Sequence, residues 1–167
     1  LSEPGSGSDA AALVTRARRD GDAYVIDGTK AWVTHGGVAD VYVVMCRTGG
    51  PGPRGVSALI VPADTPGLTV GAPERKMGMA ASPTAQLVFE GARVPARNLL
   101  GAEGEGFAIA MQALDGGRLG IAACAVGLAQ AALDQAVAYA VQREQFGRPI
   151  AEFQGVGFLL ADMATGI

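Results

Sequence analysis

Four short stretches of this chain carry side chains that could bind or transform a ligand. The first is Glu3-Pro4-Gly5-Ser6-Gly7-Ser8-Asp9, where small residues let backbone N–H groups and two serine hydroxyls approach a polar ligand closely. Its glycine spacing is not G-x-G-x-x-G, and no βαβ unit surrounds it, so a nicotinamide-type phosphate loop is excluded. An ordinary surface turn has the same composition. The second is Lys30-Ala31-Trp32-Val33-Thr34-His35-Gly36-Gly37, where the only tryptophan precedes a hydroxyl and two glycines. Such a group suits a flat ring with hydrogen-bonding nitrogens, and plain core packing of the indole is the competing reading. The third is Leu114-Asp115-Gly116-Gly117-Arg118, in which adjacent glycines each weaken a helix by about 1 kcal/mol relative to Ala. A bend, a tight helix crossing or a ligand contact would each explain them. The fourth is Arg143-Glu144-Gln145-Phe146-Gly147-Arg148-Pro149-Ile150 followed by Phe153-Gln154, where an arginine could take a phosphate. Alone, it reads as a basic turn ending a helix.

Other chemistries have less support. His35 is the sole histidine and has no carboxylate or cysteine at ligand spacing, so it is expected in a turn or at the surface, with no metal. Cys46 and Cys124 stand far apart in apolar stretches and read as buried free thiols of a reducing compartment, the cytoplasm by default. With a net charge of −3 and scattered basic residues, neither nucleic acid nor an anionic membrane is the expected partner. No uninterrupted apolar run reaches the roughly 18 residues of a membrane span, and no signal peptide is visible. At 49% hydrophobic and 17% charged, the 167 residues suit a compact fold with a sizeable core.

Positioning these stretches falls to two kinds of sequence. Up to about residue 100, β-branched runs recur between Gly, Pro, Asp and Asn signals, at 12–18, 24–26, 29–34, 41–46, 56–61, 68–70 and 85–89. Asp27-Gly28 predicts a tight hairpin between two of them, and the Gly- and Pro-rich residues 48–55 predict a long hairpin loop. The spacing favours a closed or sandwiched antiparallel domain. From Gly106 the chain turns Ala-rich, and Leu114, Ile121, Leu128, Leu133, Val137 and Val141 recur at helical intervals to about Gln142. That predicts one long helix, ended by Gly147, Arg148 and Pro149, and a second over residues 153–167. A helix so long belongs to a bundle. The fold class is therefore α+β: a β-barrel or sandwich domain over residues 1–102, then the first helices of a helical bundle over residues 103–167. The chain opens at Leu1 without an initiator Met and closes inside an amphipathic segment at Ile167, so both ends are expected to be cuts.

Taken together in order and spacing, the stretches resemble the acyl-CoA dehydrogenase family over essentially the whole chain. Residues 1–9 resemble its Leu-Thr-Glu-Pro-x-Ala-Gly-Ser-Asp signature, residues 32–37 its Trp-Ile-Thr-Asn-Gly turn, and residues 143–147 with Phe153-Gln154 its Arg-x-x-Phe-Gly and x-Gln segments. The resemblance implies a central β domain and a C-terminal bundle, with the family's N-terminal helical domain absent from this chain. It implies FAD as cofactor, contacted by Leu1, Ser2, Gly7, Ser8, Trp32, Val33 and Thr34, with the Thr34 hydroxyl near the reactive N5. Arg143, Gln145, Phe146 and Gln154 would contact the FAD of a neighbouring subunit in a homo-oligomer, a dimer or tetramer. Ser8, Asp115, Gly116, Gly117 and Arg118 would line the acyl-CoA site. The implied reaction takes an α-proton and a β-hydride from an acyl-CoA, as in fatty acid β-oxidation, giving trans-2-enoyl-CoA and passing electrons from FAD to an electron-transfer flavoprotein. The α-proton needs a carboxylate base, which most members carry in the C-terminal bundle, beyond Ile167, and a minority at the position of Gly117. This chain is therefore expected to hold no catalytic residue. Ser2, Ser6 and His35 replace the family's usual Thr, Ala and Asn. A flavin oxidase or monooxygenase on the same scaffold, or a non-catalytic β module, are the alternatives.

Overall fold

The computed structural model describes residues 1–167, packed as two compact units, 1–113 and 114–167. The first unit holds β1 (Arg16–Asp20), β2 (Ala23–Thr34), β3 (Val41–Arg47), β4 (Val56–Pro62), β5 (Leu68–Val70), β6 (Thr84–Pro95) and β7 (Leu99–Leu100) in one sheet of order β5-β6-β2-β1-β3-β4-β7. Ile26 of β2 and Phe89 of β6 share one core with Val44 of β3 and Leu59 of β4, so the sheet curls until its two halves face each other. Each such buried side chain stabilises the fold by roughly 1.5–3 kcal/mol. The α+β expectation and the sandwich-like packing hold, with one correction. β1 and β3 pair in parallel at Arg16 and Arg47, so the sheet is mixed.

Residues 48–55 form the β3–β4 loop, as expected. The buried Arg47 pins it: its guanidinium donates to the carbonyls of Leu13 (2.9 Å), Ala11 (2.7 Å), Gly50 (2.6 Å) and Gly52 (3.2 Å). Four backbone carbonyls, two from the segment before β1 and two from the loop, thereby share one cation without a carboxylate partner.

Asp27-Gly28 is not a hairpin. β2 runs unbroken through both residues, and its register against β6 slips between Ile26 and Gly28, a β-bulge. Asp27 accepts a hydrogen bond from the N–H of Gly91 on β6 at 2.7 Å, which locks the bulge across the ladder. The tight turn lies earlier, at Gly21-Asp22, between the paired Asp20 and Ala23. Gly21 takes φ +60 and Asp22 stays at negative φ, as a turn with Gly in the first central position requires. The first predicted strand, 12–18, also shifts: residues 10–12 make a short 3-10 turn and pairing begins at Arg16.

α1 (Gly106–Gln142) starts in the first unit, where Ala110 and the half-buried Phe107 pack on Leu13, Met45, Val56 and Ala58. In the second unit it continues without a break, followed by the two-residue strands β8 (Glu144–Gln145) and β9 (Arg148–Pro149) and by α2 (Gln154–Gly166). The helix therefore ends at Gln142, before Gly147, because residues 143–150 form a β-hairpin in place of a helical turn. Over 18 residues α1 reaches a mean hydropathy of 1.5, enough by length and composition alone to cross a membrane. Leu119, Ile121 and Leu128 stand exposed on it. Cys124 is exposed too, against the expectation of burial, because residues 112–128 of α1 are exposed throughout; Cys46 is buried in the sheet core.

Candidate functional site

The N-terminal stretch is a closed turn: Glu3 and Ser6 exchange backbone hydrogen bonds at 2.9 and 3.1 Å, and the Ser6 hydroxyl donates to the Asp9 carbonyl at 2.6 Å. It is fastened to β2 by a charge pair. Lys30 donates from Nζ to Glu3 Oε1 at 2.7 Å and to the Leu1 carbonyl at 3.1 Å, with the two side chains only 2% and 3% exposed. Glu3 also accepts from the N–H groups of Val14 (2.7 Å) and Thr15 (2.9 Å), and the N–H of Ala31 donates to the Ser2 carbonyl at 2.9 Å.

Burial disfavours charge on both partners, while their mutual bond favours it on both. Burial pushes the Glu3 carboxyl up, but the hydrogen bonds from Lys30, Thr15 and Val14 outweigh it and hold the group below its ordinary value. For Lys30, burial draws the ammonium down against the raising pull of Glu3. With the folded carboxyl depressed, Glu3 contributes stability that is fully present above the ordinary carboxylate range and is lost as pH falls through the depressed value. Urea midpoints taken between about pH 7 and about pH 3 are therefore expected to fall more steeply for the wild type than for Glu3→Gln. Parallel acid limbs would refute the assignment.

Two residues beyond Lys30, β2 loses its regular form. Lys30 and Ala31 are both buried, the register against β6 slips between Lys30 and Val33, and Trp32 takes a left-handed φ of +59. For a bulky residue that conformation costs about 1–3 kcal/mol and persists only where the surroundings over-determine it. The indole is 64% exposed, so Trp32 is no core residue. Thr34 is exposed beside it, and Leu1, Val33, Thr34 and His35 line one cavity of about 290 Å³ with Tyr42, Val44 and Leu87. His35, also at φ +59, heads the next turn, its N–H donating to the Pro83 carbonyl at 2.8 Å. Ser2 is half-buried, and Gly7 and Ser8 are exposed at the far side of the N-terminal turn.

The remaining predicted residues belong to the second unit. Asp115 and Arg118 form an exposed ion pair at 2.5 Å, one turn apart on α1. Beyond the helix's own backbone, nothing lies within 4 Å of where a Cβ would stand at Gly116 or Gly117, so no tight crossing within this chain explains them, and the helix continues through both. Arg143 follows the last helical residue and closes the hairpin through its carbonyl, which accepts from Ile150 N–H at 2.8 Å. The hairpin turn is Phe146-Gly147 with φ +53 and +77, a second aromatic on left-handed backbone, 93% exposed. Phe146 meets Phe153 edge-on at 6.0 Å, the Arg148 guanidinium lies 4.2 Å from the Phe153 ring centre, and Gln154 opens α2. Gln145 projects from the same hairpin, its amide donating to the Glu144 carbonyl. Arg143, Gln145, Phe146 and Gln154 are thus gathered around one short turn.

Reading by residue type passed over Glu3 and Lys30 as positioning groups. Their signal was present in the sequence: a charged residue inside each of the two stretches singled out for chemistry. The surface exposes Trp32 as a flat apolar face, Thr34 and Ser8 as hydroxyls, and a cavity at the strand end, a set that fits a planar heteroaromatic ligand better than a metal or a nucleophilic reaction.

Residues 1–92 match the family described as acyl-CoA dehydrogenase, middle domain, and residues 104–167 match acyl-CoA dehydrogenase, C-terminal domain. The chain is 52% identical to the mitochondrial isobutyryl-CoA dehydrogenase of Bos taurus over 99% of its own length and 40% of that protein. Among solved structures, the butyryl-CoA dehydrogenase of Megasphaera elsdenii superposes with a TM-score of 0.93 at 48% identity, covering 99% of this chain and 44% of that one. A glutaryl-CoA dehydrogenase of Mycobacterium smegmatis solved in complex with FADH2 superposes with a TM-score of 0.89 at 38% identity, covering 99% and 42%. The chain spans about two-fifths of the length of the curated relatives it matches.

Proposed function

Because the chain belongs to the acyl-CoA dehydrogenase family, we propose that the protein it comes from is an FAD-dependent acyl-CoA dehydrogenase, oxidising the Cα–Cβ bond of an acyl-CoA thioester to the trans-2-enoyl-CoA. The observation that carries this reading is the outward Trp32 on strained backbone, with the Thr34 hydroxyl and a cavity beside it. Bound there, FAD supplies a two-electron acceptor for the hydride leaving the β-carbon. In this assignment the Trp32 face and Val33 cover the ring system and exclude water, and the Thr34 hydroxyl donates to a ring nitrogen. The turn residues Leu1, Ser2, Gly7 and Ser8 border the ring and the thioester, and Asp115, Gly116, Gly117 and Arg118 border the acyl-CoA. Arg143, Gln145, Phe146 and Gln154 serve the cofactor of a neighbouring subunit, Arg143 at the pyrophosphate, which makes a dimer or tetramer the working form. The organisation is a middle β domain over residues 1–102 and a helical domain from residue 103.

The α-proton is taken by a carboxylate outside residues 1–167. Within them, Glu103 is engaged by the Tyr24 hydroxyl and Glu105 by the Ala102 N–H, and Gly117 has no side chain to serve. An electron-transfer flavoprotein is the acceptor, and the cytoplasm the compartment. The test is the absorbance spectrum of the full-length protein before and after anaerobic addition of short- and medium-chain acyl-CoA thioesters. Bleaching of bound flavin by one of them is the expected result. Bound flavin that no thioester bleaches would move the assignment to an oxidase-like member, and a protein unable to hold flavin would overturn it.

A further inference from the structure

The stretch that presents Trp32, residues 31–32, lies outside the strand pairing, which holds Lys30 to Leu87 and resumes at Val33 with Ala85. Its register is broken between Lys30 and Val33, and its backbone is in a conformation that an aromatic residue rarely adopts. What fixes it comes from elsewhere in the chain. Lys30 enters the core on the residue before Ala31, whose N–H is taken by Ser2, and its ammonium is taken by Leu1 and Glu3. Glu3 in turn holds the N–H groups of Val14 and Thr15, and Thr15 lies beside β2, with its hydroxyl 3.4 Å from the Thr29 carbonyl. One buried carboxylate thus joins the N-terminal turn, the segment leading into β1, and the bulge of β2. Ser2 and Trp32 each stand next to a residue of this junction; both Glu3 and Lys30 are buried, and Lys30 borders the cavity beside Thr34. A core that needed only filling would be served by apolar side chains at both positions, because a buried ion pair adds little net stability over a hydrophobic pair of the same volume. In some proteins a buried pair is retained because it specifies one arrangement, and the arrangement at stake here is that of the ligand-facing residues on either side.

We infer that Glu3 and Lys30 are positioning residues of the flavin site, whose charge pair holds the N-terminal turn against the β2 bulge so that Ser2, Trp32 and Thr34 keep a single geometry toward the cofactor ring. This inference rests on the flavin reading above. It assigns neither residue a contact with cofactor or substrate.

The experiment compares the full-length enzyme with Glu3→Gln, with the double variant Glu3→Gln/Lys30→Met, and with Tyr24→Phe as a structural control that loses a hydrogen bond to Glu103 at the opposite end of β2. The readouts are the FAD dissociation constant, the visible circular dichroism of bound flavin, kcat and KM for the best thioester, and Tm. The double variant leaves no buried charge unpaired, so it is expected to fold with a Tm close to that of the wild type. Its FAD affinity falls at least tenfold, its flavin dichroism changes, and kcat falls at least fivefold while KM moves less than twofold. Tyr24→Phe lowers Tm and leaves dichroism and kcat as they were. A folded Glu3 or double variant with wild-type flavin affinity, dichroism and kcat overturns the inference. So does a pair of variants that fail to fold even with excess FAD, which would reduce the pair to a plain fold element. If the wild-type enzyme itself holds no flavin, it is the flavin reading that fails, and the two failures are told apart.

Discussion

Replacing Lys30 with Met alone is expected to lower the unfolding free energy by about 3–5 kcal/mol. Met fills the volume of the lysine stem, so packing changes little and the loss is electrostatic. Glu3 would remain 3% exposed, still bonded to the N–H groups of Val14 and Thr15, with no cation to offset its burial. The carboxyl would answer by taking up a proton, because burial now dominates the forces on it. The deficit should therefore be largest at neutral pH and shrink as the solution turns acid, the opposite of the wild-type trend. Urea unfolding at about pH 7 and about pH 5 measures both. A loss below about 1 kcal/mol at neutral pH, the usual size for a surface ion pair, would show that the pair is solvated and not buried.

Gly28→Ala is the second large effect, expected to destabilise by about 4 kcal/mol. Gly28 sits at φ +141, a conformation closed to side chains with a Cβ, and the added atom would stand 2.7 Å from the Cα and 2.9 Å from the Cβ of Thr15. The first contributes about 1–3 kcal/mol of backbone strain and the second about 1–3 kcal/mol of overpacking. Neither can be relieved by a side-chain rotation, since the Thr15 backbone is in the way and its N–H is committed to Glu3. Gly21→Ala provides the contrast. It also has positive φ, +60, but nothing lies within 4 Å of its Cβ position, so only the backbone cost of about 1 kcal/mol applies. Equal losses for the two, measured by urea midpoints, would refute the close approach of Thr15 as the reason for Gly28.

Much of this fold could be read from local pattern, and the misreadings share a cause. Residues 41–46, 56–61 and 68–70 alternate or run apolar between turn signals, and they are strands with bounds within a residue or so. The helix from Gly106 to Gln142 follows from its composition. Asp27-Gly28 failed because a dipeptide carries the same left-handed preference whether the chain reverses or bulges, and only the partner strand β6 decides between them. The true turn at Gly21-Asp22 hid behind the charged Arg18-Arg19-Asp20, since β1 buries only Ala17 and shows no apolar alternation. The far half of β6 was missed for a similar reason. Glu90-Gly91 reads as a stop, while the strand passes through it with Gly91 at φ +65. In the candidate site, Trp32 and Thr34 were legible as side-chain types, whereas the Glu3–Lys30 junction was not. A lone charged residue reads as solvated, and its pairing partner lies 27 positions away.

The outward indole has a practical corollary. Trp32 is the only tryptophan in these 167 residues and it is largely in water, so excitation near the red edge of aromatic absorbance reports from this one place. A chromophore that stacks on it or accepts its emission by resonance transfer would quench that light in proportion to occupancy. For this stretch of chain, cofactor loading becomes an optical titration with a built-in probe, needing no label and no turnover.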